Sequence, residues 1–221
     1  MSKWQSEKEL AIEIVKYLKN NGWTVYPEIY DIDIIATKQE ENSKNKLKII
    51  GIECKKQFNL TVLSQAYEKN YLVDGMYIGV PDIKNKNQTF GLQVAQKFNI
   101  GTFLVKHKSF SYNNHVVSCY SNPEFSTRRY DKIDKLLDPQ AENYAEAGQV
   151  GGRQWTLFKK TSYAIIEYVK LNPGLNLKEI LKTVPHHYKT LNSATSCIKK
   201  MIEDQVIKDL KIIDGKIYLN L

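Results

Sequence analysis

Asp31-Ile32-Asp33-Ile34-Ile35-Ala36 and Leu47-Lys48-Ile49-Ile50-Gly51-Ile52-Glu53-Cys54-Lys55 are the two stretches that decide the fold. Both are rich in β-branched residues, which favour strands. The run between them, residues 38–46, holds Glu40, Glu41, Asn42, Ser43 and Asn45 and has loop composition. The two strands are therefore expected to form a hairpin.

Working outward, residues 6–20 predict a helix, with Leu10, Ile14 and Leu18 at helical spacing and Ala11 and Val15 beside them. Ser6 and Glu9 have the spacing of a capping box, and Asn20-Asn21-Gly22 ends the helix. Residues 23–26 predict a short strand stopped by Pro27. Downstream, residues 61–70 and 90–99 predict helices. Residues 76–80 and 101–105 predict strands buried on both faces. The expected class is α/β, with a mixed sheet flanked by helices.

Residues 121–154 change character, with Pro123, Pro139, Gly148, Gly151 and Gly152 in a polar stretch of little periodicity. A linker is expected over 123–154, between a domain over 1–122 and a second over 155–221. In the second, residues 155–171, 177–183 and 191–204 predict helices. Residues 206–213 and 216–219 then predict a hairpin across Asp214-Gly215, a favoured two-residue turn. Three helices and a hairpin make the order of a small winged helix-turn-helix domain.

Composition narrows the function classes. The 221 residues are 42% hydrophobic and 25% charged, which excludes a disordered tail, a collagen and a disulfide scaffold. Cys54, Cys119 and Cys197 are far apart, and adjacent His186 and His187 are poorly spaced as ligands on one helix face. Neither set suggests a zinc site. No apolar run approaches the roughly 20 residues of a membrane span, and residues 1–7 lead into an amphipathic segment, not an apolar signal core. A soluble cytoplasmic protein with no membrane partner is expected. The net charge is +8; from Arg153 onward there are 12 Lys+Arg and 6 Asp+Glu, so the last third carries most of the excess. A basic module beside a nearly neutral one suits a polyanion such as DNA; a generic lysine-rich surface is the competing reading.

The chemistry centres on Asp33, Glu53 and Lys55. Side chains alternate along a strand, so Glu53 and Lys55 share one face while Cys54 lies with Ile52 on the other. Two opposite charges in an apolar strand need each other, a metal or solvent. Asp33 sits among isoleucines in the neighbouring strand and meets Glu53 at one sheet edge if the register allows. Asp31 competes with it, being on the same face by period 2. Two carboxylates can hold Mg²⁺ or Mn²⁺, with the backbone carbonyl of Cys54 as a further oxygen. Such a metal acidifies a bound water and stabilises charge on a phosphate. Lys55 can orient that water or neutralise developing charge. The competing reading is a surface hairpin with an ordinary Glu–Lys pair on its wet face.

Asp33-Ile34-Ile35-Ala36, a polar turn, and Ile50-Gly51-Ile52-Glu53-Cys54-Lys55 resemble the PD-(D/E)XK nuclease superfamily, which includes restriction endonucleases and archaeal Holliday-junction resolvases. The preceding helix ending in Gly22-Trp23 is similar, as is the following helix with Gln65 and Tyr71, then Asp74 leading into a buried strand. The resemblance covers residues 6–106, and Ile32 stands where the family often has Pro. It implies a restriction endonuclease-like fold and a Mg²⁺-dependent endodeoxyribonuclease that hydrolyses phosphodiester bonds. It also implies a glutamate from the first helix. Glu7, Glu9 and Glu13 are candidates, and Glu7 is favoured because it shares the stripe of Leu10, Ile14 and Leu18. Gln65 resembles the family's accessory polar residue; an exposed or capping glutamine is the alternative. The functional alternative is a non-catalytic DNA-binding or regulatory protein retaining the nuclease fold.

In the second domain, residues 191–204 would enter the major groove. Lys189, Asn192, Ser193, Ser196, Lys199 and Lys200 are the expected DNA-binding residues, with Lys211 and Lys216 on or near the wing and Arg153 at the Gly-rich entry. Winged helices also serve as docking or dimerisation modules. Two cuts on a duplex need two sites, which a homodimer would supply, and a protein partner for targeting is the other means of delivery.

Overall fold

The expected hairpin strands are the second and third of a six-stranded mixed sheet, β1 (Thr24–Ile29), β2 (Ile32–Gln39), β3 (Leu47–Cys54), β4 (Gly75–Pro81), β5 (Gly101–Val105) and β6 (Val117–Ser121), ordered as numbered. β1–β2, β2–β3 and β5–β6 pair antiparallel; β3–β4 and β4–β5 pair parallel. The structure is a computed structural model that describes residues 4–40, 47–83, 86–107, 116–126, 133–137, 139–142, 147–148 and 155–220. It separates into two units, Met1–Trp155 and Thr156–Leu221. No helix among the described residues is long and apolar enough to cross a membrane.

Helix α1 (Glu7–Asn20) covers one face of the sheet. Its stripe of Leu10, Ala11, Ile14 and Leu18 packs with Ile34, Ala36, Ile50, Ile52, Cys54, Tyr77 and Phe103 in one buried cluster. These strand residues are the alternate positions of β2 and β3, so Asp33 and Glu53 belong to the other face. That face carries α2 (Leu60–Lys69), which buries Val62, Leu63 and Ala66 and packs on β3 and β4. α3 (Lys86–Lys97) stands beside α2, with Tyr67 edge-on to Phe98 at 5.5 Å between ring centroids. At the start of α1, Ser6 accepts from the Glu9 N–H at 3.2 Å, but the Glu9 carboxylate turns to the Gln5 N–H at 3.0 Å. Only half of the expected box forms.

Several boundaries differ from the sequence reading. β1 does not stop at Pro27 but runs on to Ile29. β1 is an edge strand, where a residue without an N–H is tolerated. It then turns into β2 through Tyr30 and Asp31, both at positive φ, between the paired Ile29 and Ile32. β6 closes the far edge, and α3 begins four residues before the expected 90.

The stretch read as a linker over 123–154 largely belongs to the first unit. Pro123 and Phe125 cover Gly75. Ile133, Leu136, Ala141 and Ala147 are buried, and α4 (Pro139–Glu142) packs on β1. The Gly148 N–H donates to the Glu28 carboxylate at 3.0 Å, and the Trp155 N–H donates to the Glu28 carbonyl at 2.8 Å. Trp155 is fully buried and bridges to Ile29 in parallel sense, so it ends the first unit and does not open the second. The physical reason is that irregular segments can bury apolar residues without a helical or strand period.

The second unit contains α5 (Leu157–Leu171), α6 (Leu177–Thr183), α7 (Leu191–Glu203) and the hairpin β7 (Leu210–Ile213) and β8 (Lys216–Leu219). Its core gathers Ile165, Val169, Ile180, Leu181, Ala194, Ile198, Ile202, Leu210 and Ile217. Asn176 and Glu179 form a complete capping box at the start of α6. The chain before it pairs with β8, Gly174 donating to the Ile217 carbonyl and Ile217 donating back to the Leu175 carbonyl, both at 2.9 Å. The first expected hairpin strand is shorter than 206–213: residues 206–209 form the turn leading into it.

Candidate active site

Asp33 is the second residue of β2, just after the tight Tyr30-Asp31 turn, and Glu53 stands next to last in β3. The ladder pairs Ile34 with Ile52, and one further step of that register sets Asp33 against Glu53. The two carboxylates are therefore neighbours at the end of the sheet, near enough for the Asp33 charge to act on Glu53. The Cys54 N–H donates to Asp33 Oδ2 at 2.7 Å. Glu53 is 2% exposed and accepts from Lys69 Nζ at 2.8 Å. Lys69 also donates to the Asp31 carbonyl.

Lys55 lies just beyond the last residue of β3, where its N–H still donates to the Gly79 carbonyl at 3.0 Å. Its ammonium does not pair with Glu53. It donates to Glu7 Oε2 at 3.0 Å, at the first residue of α1. Of the other two helix-one candidates, Glu9 accepts from Gln5 and Glu13 pairs with Lys16 at 3.1 Å. Each charge on the end of β3 thus has its own counter-ion from a different helix: Glu53 has Lys69 of α2 and Lys55 has Glu7 of α1. Gln65 is half-buried one turn before Lys69, and its Oε1 is buried with no hydrogen-bond partner among the described residues.

Lys69 did not figure in the sequence reading. The signal for it was the four-residue interval from Gln65, which puts both on one stripe of α2. Its ion pair spans 16 residues, beyond the reach of local pattern.

The electrostatics follow from burial. Desolvation pushes the Asp33 carboxyl up, against the opposing pull of the Cys54 N–H. Desolvation, then the negative charge of Asp33, pushes Glu53 up to about 7 in spite of Lys69. Burial works against the Lys55 ammonium, but Glu7 together with Asp33 and Glu53 outweighs it and raises its pKa. Burial pushes the Cys54 thiol well up, so that it behaves as a neutral core group.

A carboxyl whose folded-state pKa lies above its unfolded value holds its proton more firmly in the folded chain. Its stabilising contribution is full below the ordinary value of 4.5 and is lost as pH rises through about 7. In EDTA, Glu53 is expected to remove on the order of 3 kcal/mol from the first unit across that window. Asp33 adds in the same direction. Urea unfolding at stepped pH checks this. Glu53→Gln should flatten most of the slope, and an unchanged slope would contradict it.

Among the described residues, no group of three or more His, Cys, Asp and Glu side chains is placed to hold a metal ion. The donors that do meet are hard oxygens. One oxygen of Asp33 is taken by the Cys54 N–H and one of Glu53 by Lys69, leaving a second oxygen on each. That set fits a cation that keeps several waters, as Mg²⁺ does, with the Cys54 carbonyl as the expected third protein ligand.

In the second unit, Lys189, Asn192, Ser193, Ser196, Lys199, Lys200 and Lys216 are exposed, while Lys211 is half-buried. Thr190 caps α7 by accepting from the Ser193 N–H at 3.2 Å. Lys199 stands 3.7 Å from Glu203 on its own helix. Arg153 lies outside the described residues. Comparison with family models, with curated proteins and with solved structures gives no match.

Proposed function

We propose that this protein is a metal-dependent DNA endonuclease of restriction endonuclease-like fold, with a winged-helix module that targets DNA. The observation that carries the reading is the meeting of Asp33 and Glu53 at the end of β2 and β3, with Lys55 two residues beyond Glu53. Asp33, Glu53 and the Cys54 carbonyl would hold Mg²⁺ or Mn²⁺, which supplies an acidified water and charge stabilisation at the scissile phosphate. Lys55, anchored by Glu7, keeps an ammonium beside the reacting phosphate and neutralises charge as it develops. Gln65 offers a buried amide oxygen toward the same side of α2 as Lys69 and is read as positioning a water.

The test is a cleavage panel: supercoiled, linear, single-stranded and branched DNA, with Mg²⁺ or Mn²⁺ and with EDTA. Metal-dependent nicking or cutting is expected. If no form is cut while DNA is bound, the non-catalytic alternative takes its place.

The DNA-targeting reading rests on the positive balance after Arg153 and the exposed polar start of α7. Affinity should fall steeply with salt as lysines release phosphate counterions. Lys199→Ala with Lys200→Ala should weaken binding and flatten the slope of log K against log salt by about 1 for each phosphate that is no longer neutralised. Fluorescence anisotropy on a labelled duplex reads both. An unchanged slope would identify α7 as a protein-docking surface instead.

A further inference from the structure

Lys69 has no role in the chemistry above, yet it is the closest cation to Glu53. We propose that Lys69 is a resident counter-ion of the site, which occupies the Glu53 carboxylate until a divalent cation displaces it. The inference rests on the nuclease reading and adds to it a competition between side chain and metal. Three observations carry it. The ammonium lies 2.8 Å from Glu53 Oε1, within ion-pair distance of a carboxylate that is almost fully buried. Its second partner is a neutral oxygen, the Asp31 carbonyl, held in a turn where Tyr30 and Asp31 both adopt positive φ. Its stem comes from the last turn of α2, where the helix end favours a cation, and its side chain is 18% exposed.

The ammonium therefore has one charged partner and one neutral partner. A buried carboxylate left without a cation is unfavourable, and Lys69 supplies one while the metal is absent. A divalent cation on Glu53 repels the ammonium at so short a range. Lys69 has four flexible carbons and three donors. It can release Glu53, keep the Asp31 carbonyl, and leave the carboxylate to the metal. The metal then binds with an affinity lowered by the work of displacing Lys69.

The experiment is calorimetric titration of Ca²⁺, a hard oxygen-seeking cation, into the full chain, with thermal unfolding in EDTA alongside. Lys69→Met is expected to bind Ca²⁺ about tenfold or more tightly than the wild type, because the resident charge is gone. In EDTA its Tm should fall by roughly 5 °C, since Glu53 loses its counter-ion. Adding Glu53→Gln to Lys69→Met should recover most of that loss. Lys69→Arg, which keeps the charge, should bind Ca²⁺ as the wild type does. If Lys69→Met does not fold, Lys69→Gln carries the same expectation. Wild-type binding with an unchanged or weaker affinity in the neutral variants overturns the role of Lys69 and leaves the metal reading standing. If neither wild type nor the neutral variants bind Ca²⁺, the metal reading falls and the competition falls with it.

Discussion

Glu53→Gln and Lys55→Met are each expected to lower metal-dependent DNA cleavage by at least roughly a thousandfold, for different reasons. Glu53→Gln removes one of the two carboxylates at the end of the sheet, so cleavage and cation binding should fall together. Lys55→Met leaves Asp33, Glu53 and the Cys54 carbonyl in place, so it should keep cation binding and lose turnover. The structure motivates the split: Lys55 is held by Glu7 of α1, while Glu53 is held by Lys69 of α2. A thousandfold loss corresponds to about 4 kcal/mol of transition-state stabilisation, within reach of one charged group in a water-poor site. Single-turnover cleavage at saturating Mg²⁺, beside calorimetric Ca²⁺ binding, reads the two effects separately. Cleavage persisting in both variants would remove these residues from the chemistry.

Trp155→Ala should destabilise the first unit by about 3–5 kcal/mol. Trp155 is fully buried, and its backbone N–H ties the chain to the Glu28 carbonyl beside the bridge to Ile29. It therefore covers the outer side of edge strand β1, whose turn into β2 delivers Asp33. Truncation keeps the backbone bond and bridge but leaves a large cavity beside that edge. In urea, the first-unit transition should move to lower concentration while that of the second unit stays in place. A change below about 1 kcal/mol would contradict a role for the Trp155 side chain in the core of the first unit.

The two hairpin strands were legible because each carries three isoleucines and the loop between them is polar throughout. Alternation along β3 also placed Cys54 with Ile52 on the α1 face and Glu53 on the opposite one. It was less informative for Lys55, which stands just past the end of the strand and reaches round to Glu7. Ion-pair choice depends on which helix end arrives at the sheet, and no short-range pattern encodes that. Lys69 escaped for the same reason, although Gln65 one turn earlier shares its stripe. Pro27 misled because a proline stops an interior strand but not an edge strand, and strand order is a property of the whole sheet. Ile133, Leu136, Ala141 and Ala147 are buried from an irregular stretch, so a missing period was mistaken for a missing role in the core.

The most direct measurement is anomalous diffraction from crystals of the full chain grown with saturating Mn²⁺. A Mn²⁺ peak is expected between Asp33 and Glu53, about 2.1 Å from one oxygen of each. Lys69 Nζ should then have moved away from Glu53 while remaining near the Asp31 carbonyl. A map with no Mn²⁺ at those carboxylates, and with the Lys69–Glu53 pair intact, would contradict a metal centre at this end of the sheet.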